Sequence, residues 1–342
     1  MLDYNVYDDI AQRSNGDIYV GVVGPVRTGK STLIKKFMTE LVIPNVEDGN
    51  AKNLMTDELP QSASGKTVMT TEPKFVPAQA AEVKIESATA RVRFADCVGF
   101  ITQGANGFEE EGKPRLVNTP WSNTPLPFAE AAELGTDRVI SEHSTIGVCV
   151  TTDGSISDIK RDGYIEAEEK TVARLKNLCK PFVIVLNCAE PEKTAAKKLR
   201  DELENKYGVA VISANCEEID ADGLLKILKA VLFEFPVTRF DVDIPQWMRF
   251  LSQDSSAMCE LLERIKAVSS SVCKMKDCAA FDGMLKDCKF WKDGITADLS
   301  LSDGNAKITA YVRDGVFFDM LSEIAGDTIS DEFTLMRYVR GT

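Results

Sequence analysis

An apolar run, Ile18–Val23, ends at Gly24, and beyond it Leu33, Ile34, Phe37, Met38 and Leu41 fall on one helical face. A short continuous apolar run reads as a buried strand, and recurrence at three and four residues reads as an amphipathic helix. Pro44 stops that helix. Residues 49–80 are polar and read as loop. Two alternating runs follow, Val83–Glu86 and Arg91–Ala95, separated only by Ser87–Ala90. They predict a hairpin that sets one antiparallel strand beside a parallel sheet. The stretch 100–128 is rich in Gly, Asn and Pro and reads as a long loop.

From there helix and strand patterns alternate. Helices are predicted from Phe128 to about Ser141, near 163–178, near 193–205 and over Ala221–Phe233. Strands are predicted at Ile146–Val150, Phe182–Leu186 and Val209–Ser213. This alternation is that of a doubly wound, mostly parallel α/β sheet. After Pro236 the pattern changes: helical stretches at about 245–268 and 276–290, a hairpin of Ile295–Leu301 with Ala306–Val312, and a helix around 314–325. The expected organisation is a nucleotide-binding α/β domain over 1–240 and a small α+β domain over 241–342.

Length agrees with that division, since 342 residues correspond to two domains of roughly 100–200 residues each. The net charge of −13 removes any general attraction for nucleic acid. Nine cysteines without a Cys-x-x-Cys pair do not match zinc spacing, and their odd number without a signal peptide favours reduced thiols in a cytoplasmic protein. His143 is the sole histidine, so clusters of several histidines are excluded as metal sites. No apolar run approaches the ~20 residues of a membrane-spanning helix.

The chemistry is concentrated in one spacing. Gly24-Pro25-Val26-Arg27-Thr28-Gly29-Lys30-Ser31 fits Gly-x4-Gly-Lys-Ser/Thr, between the predicted strand and the predicted helix. Such a turn aims backbone N–H groups at phosphates, and the helix N-terminus adds its positive end. Lys30 reaches the β- and γ-phosphates and the Ser31 hydroxyl ligates Mg²⁺. Asp96, at the end of the alternating strand, is placed to hold the same Mg²⁺ through its water shell, and Gly99 to offer a backbone N–H to the γ-phosphate. Thr70 and Thr71, in the polar loop between these motifs, stand where a switch threonine ligates Mg²⁺. The expected nucleotide-binding set is Gly24, Pro25, Val26, Arg27, Thr28, Gly29, Lys30, Ser31, Thr32, Gly99 and Asn187. The expected metal set is Ser31, Thr70 and Asp96.

Two further boxes bear on the base. Guanine-specific proteins carry Asn-Lys-x-Asp after a late strand, whereas this chain reads Asn187-Cys188-Ala189-Glu190. Ser213-Ala214-Asn215 likewise lacks the lysine of a Ser-Ala-Lys box. Strict GTP specificity is not expected. Position 100, where Ras-like enzymes often carry a water-orienting glutamine, holds Phe100.

In this order the boxes resemble the TRAFAC group of P-loop GTPases. A closer resemblance, to the stage IV sporulation protein A family, rests on Gly21–Phe37, Asp96–Gly99, Asn118–Trp121, Glu142–Gly147 and Tyr164–Glu169. That resemblance implies an ATPase whose hydrolysis is coupled to irreversible self-assembly into the basement layer of the spore coat. The place implied is the mother-cell cytoplasm, at the outer forespore membrane. It implies Lys30 as the phosphate-binding lysine, Thr70 and Thr71 as threonines needed for hydrolysis, and Asp96 as the residue serving the metal. The partners implied are further copies of the chain, a small amphipathic membrane-bound peptide and other coat proteins. A family C-terminal region for anchoring and polymer contacts has no evident equivalent before Thr342. The alternatives are a switch GTPase read by effectors and a coat scaffold that binds nucleotide without turnover.

Overall fold

The computed structural model describes residues 6–14, 17–47, 49–60, 73–85, 88–102, 109–110, 113–252 and 255–341. Contacts between residues divide the chain into two compact units, Met1–Phe235 and Pro236–Thr342.

The first unit is a Ras-like α/β fold. In chain order it runs through α1 (Val6–Arg13), β1 (Asp17–Val23), α2 (Lys30–Phe37), α3 (Gly49–Asp57), β2 (Lys74–Ile85) and β3 (Ala88–Asp96). It continues through α4 (Phe128–Glu142), β4 (Ile146–Thr152), α5 (Asp162–Asn177), β5 (Phe182–Asn187), α6 (Thr194–Tyr207), β6 (Val211–Ala214) and α7 (Ala221–Phe233). The sheet order is β6-β5-β4-β1-β3-β2. All pairings are parallel except β2 with β3. Every residue of β4 and β5 is buried. Helices on both faces of a parallel sheet cause this, and it is why these strands read as unbroken apolar runs.

The registers bring one end of the sheet level. Val22 stands beside Asp96 on one side and Val148 on the other. Asn187 stands beside Thr152 and Ala214. Chain order reverses about β1, so the crevice beyond the carboxyl ends of β1, β3 and β4 is a topological switch point, where doubly wound folds bind ligands.

The second unit contains β7 (Arg239–Asp243), α8 (Ser256–Ser269), β8 (Trp291–Ser300), β9 (Asn305–Val312), α9 (Val316–Ala325) and α10 (Glu332–Gly341). Its sheet runs β7-β9-β8, with β7 parallel and β8 antiparallel to β9. The expected boundary at 240 therefore falls inside β7, a strand of this unit. Trp291 is fully buried and donates its indole N–H to the Ala257 carbonyl at 3.0 Å.

The expected helix over 276–290 is not an α-helix. Met275–Phe281 is 3₁₀, and turns follow it. Met275, Cys278, Phe281 and Met284 are buried at a spacing of three, the period of a 3₁₀ helix, at which side chains stack in line. The carboxylate of Asp277 accepts the N–H groups of Cys273 and Lys274 at 3.1 and 2.8 Å, which fixes its start. Residues 49–57, expected as loop, form α3, of which only Met55 is buried.

Candidate functional site

The turn between β1 and α2 holds the Gly-x4-Gly-Lys-Ser spacing expected of a phosphate loop. Gly29 has φ of 92°, and a Cβ there would lie 2.3 Å from Nδ2 of Asn187. Thr28 is fully buried, and its hydroxyl closes the turn by donating to the Pro25 carbonyl at 3.0 Å. Arg27 adopts φ of 63°, left-handed backbone held by a non-glycine residue. Val26 donates its N–H to the carbonyl of Phe100 at 3.0 Å, tying the turn to the loop after β3. The Phe100 ring is buried, so position 100 packs and presents no polar group.

Lys30 opens α2 and is buried. Its ammonium donates to the carbonyls of Pro25 and Gly24 at 2.6 and 3.3 Å. Burial lowers its pKa from 10.5 to about 8, with Asp96 the first group opposing that shift. The hydroxyl of Ser31 donates to Oδ2 of Asp96 at 2.6 Å. Burial raises the Asp96 carboxyl, and Ser31 and then Lys30 pull it back. Gly99 closes the cradle from the other side: with φ of 88°, a Cβ there would sit 1.8 Å from the Gly24 carbonyl oxygen and 3.0 Å from the Lys30 ammonium. Only glycine allows that approach.

These side chains can hold a hard divalent ion in one manner. Ser31 and Asp96 supply adjacent oxygen donors beside a phosphate cradle, which suits Mg²⁺ shared with a nucleotide. Among the described residues no group of three or more His, Cys, Asp or Glu side chains is placed to hold a metal unaided. Thr32 lies in the first turn of α2. Thr70 and Thr71 lie outside the described residues.

Asn187 ends β5 and is buried. Its Nδ2 donates to the Thr28 carbonyl and its Oδ1 accepts the Cys216 N–H, both at 3.0 Å. The amide thus joins the phosphate loop to the loop after β6. Glu190 is exposed and ion-paired with Lys193. Asn215 turns back on its own loop, accepting the Glu217 N–H at 3.0 Å.

A second set of ties escaped sequence reasoning. The Ser155 hydroxyl accepts the Ala189 N–H at 2.9 Å and donates to Asp153 Oδ1 at 2.6 Å, so the loop after β4 braces the loop after β5. Behind it, the fully buried carboxylate of Glu168 takes a bidentate pair from Arg161 at 2.6 and 2.8 Å. Glu168 also accepts the hydroxyls of Thr151 and Tyr207. A readable signal existed: Glu168 shares the helical face of Tyr164, Val172 and Leu175, where a carboxylate persists only with partners.

Residues 1–236 match the stage IV sporulation protein A ATPase domain, and residues 237–342 match the middle domain of that family. The chain is 42% identical over 339 residues to stage IV sporulation protein A of Clostridioides difficile (strain 630), covering 99% of this chain and 69% of that protein. It is 42% identical over 327 residues to the Bacillus subtilis (strain 168) protein of that name, covering 95% and 66%. It is 41% identical over 338 residues to that of Bacillus anthracis, covering 98% and 69%. The chain thus spans about two thirds of the length of these relatives. With an ATPase-domain match laid over the phosphate cradle and a middle-domain match over the second unit, the chain belongs to the stage IV sporulation protein A family.

Proposed function

We propose that this chain is a Mg²⁺-dependent ATPase whose hydrolysis of ATP drives self-assembly into the basement layer of a spore coat. The observation that carries the hydrolytic part is the contact of Ser31 with Asp96 beside Lys30. Gly24–Ser31 and Thr32 bind the phosphates, Lys30 neutralises the β- and γ-oxygens, and Ser31 and Asp96 hold the ion. When bound, Mg²⁺ supplies charge stabilisation to the transferring phosphoryl group. Gly99 offers its N–H to the γ-phosphate. Thr70 and Thr71 complete the metal shell and position the attacking water.

ATP is favoured over GTP by what the base boxes contain. Glu190 is paired with Lys193, and Asn187 spends its amide on Thr28 and Cys216. Neither offers the bidentate carboxylate that holds guanine. The partners follow from the family reading: further copies of the chain, a small amphipathic peptide at the outer forespore membrane and other coat proteins, with the protein itself in the mother-cell cytoplasm. Phosphate release measured with ATP and GTP side by side tests the catalytic reading. ATP is expected to turn over at least as fast as GTP. A hundredfold preference for GTP would return the protein to the switch GTPases, and no release with either nucleotide would leave a binding scaffold.

A further inference from the structure

A cavity of about 490 Å³ lies between α3, the turn before it and the stretch Pro77–Glu82 of β2. It sits on an edge strand of the main sheet, where the register of β2 slips between Val76 and Ala81. Its floor is apolar, with Val46, Met55 and Pro77 buried. Leu54 stands on its rim at 61% exposure. Glu47, Glu58 and Glu82 line it as well, and no lining residue is basic. The size is within the about 300–1,000 Å³ of a ligand-binding cleft. It belongs to neither the phosphate cradle nor the base boxes.

The second unit carries the complementary surface. No residue of α10 is buried. Phe333, Met336 and Val339, at a spacing of three, are 76%, 60% and 62% exposed. Arg337 and Arg340 lie one turn on from Phe333 and Met336 and edge that apolar stripe with positive charge. An amphipathic helix reading i and i+3 anchors into an apolar cleft is a recurrent mode of recognition, and opposite charge at the rim sets its register.

We infer that α10 of one copy of the chain docks in the Leu54–Pro77 cleft of a second copy. The inference deepens the self-assembly proposed above and rests on that reading. Cleft and helix are different surfaces, so two copies that exchange helices reciprocally close a pair, whereas docking passed on from copy to copy builds a ring or an open filament. The cleft walls, α3 and β2, are also the elements on either side in sequence of the segment that carries Thr70 and Thr71.

The test is cross-linking between two separately purified chains, one carrying Leu54→Cys and the other Met336→Cys. Both are made with the exposed Cys179, Cys259 and Cys273 replaced by serine. A short bismaleimide joins thiols without redox chemistry. The mixed sample is expected to give a covalent dimer on a denaturing gel several-fold above either chain alone. Glu47→Lys with Glu82→Lys in the first chain should cut that yield about tenfold. Arg337→Glu with Arg340→Glu in the second should restore it. No excess in the mixture overturns the docking. So does a Leu54→Cys, Met336→Cys double variant that links only within one chain at high dilution, which would place the helix in its own cleft. Sedimentation of the unmodified chain with ATP is read separately. Association without the cross-link would mean that another surface joins the copies, whereas a cross-link without large assemblies would keep the docking and remove the polymer.

Discussion

Lys30 is a buried cation in the turn that the proposed function gives to the phosphates, and a bound triphosphate would act on its protonation. In the free protein burial holds its pKa near 8, well under the ordinary 10.5. A triphosphate beside it restores the charged form. Between about pH 8 and 10.5 the free protein has lost a proton that the complex retains, so binding takes one up. Affinity for ATP is therefore expected to be flat below about pH 8 and to fall as pH rises through it. Calorimetry in buffers of different ionisation enthalpy reads that proton directly. Lys30→Ala should abolish the uptake and weaken binding at least tenfold, since hydrogen bonds to a charged group contribute about 1.5–3 kcal/mol. Unchanged affinity in that variant would remove Lys30 from the phosphate site. Thr70→Ala with Thr71→Ala addresses the other half of the reaction. The pair should still bind Mg·ATP, because the cradle of Gly24–Ser31 is intact, yet release phosphate slowly. Turnover at the parental rate would place the switch elsewhere.

At the scale of elements, what the sequence made legible depended on burial. β4 and β5 are buried on both faces and read without ambiguity as strands, and α7, with five buried positions at helical spacing, was bounded at the residues observed. α3 and α10 lie outside the sequence reading for the opposite reason: one has a single buried side chain and the other none, so α3 leaves no apolar face and α10 only a short stripe of three. The turn between β1 and α2 is legible because the Gly-x4-Gly-Lys-Ser spacing falls between an apolar run and an amphipathic helix, where the strand and the helix are found. The role of Asn187 as a tie was not, because the two atoms it joins, the Thr28 carbonyl and the Cys216 N–H, are backbone groups brought together only by the sheet. The same applies to the network that fastens α5 to β4 and α6. Glu168→Ala would strand the Arg161 guanidinium, 19% exposed, without its carboxylate. Breaking one partner of a buried pair costs about 3–5 kcal/mol. The urea midpoint of the first unit should fall accordingly, while Arg161→Met combined with Glu168→Leu should recover only part of the loss, because the Thr151 and Tyr207 hydroxyls lose their acceptor. A Glu168→Ala variant of parental stability would mean that water readily replaces the carboxylate.

At the scale of the whole molecule, the cradle is built to bind, and the group that would orient the attacking water is not in its usual place. The buried Phe100 side chain offers no polar group, and its backbone carbonyl is spent on the Val26 N–H. At the turn the Thr28 hydroxyl and the Asn187 amide are spent on backbone groups, and the Ser31 hydroxyl and the Asp96 carboxylate bond to one another. On the proposed function, water would be positioned by Thr70 or Thr71, by a neighbouring copy, or by both together. Positioning of this kind is a large part of phosphoryl-transfer catalysis, so a missing group would cost several orders of magnitude in rate. Isolated chains should accordingly hydrolyse ATP slowly, and turnover per chain should climb as copies associate. The measurement is phosphate release per chain across a protein concentration series, with the assembled fraction read by sedimentation at each point. The climb should coincide with the appearance of assemblies and be lost in Thr70→Ala with Thr71→Ala even where assemblies still form. A flat rate per chain while assemblies accumulate would show that each copy carries a complete catalytic site. Assembly would then consume the result of hydrolysis without promoting it.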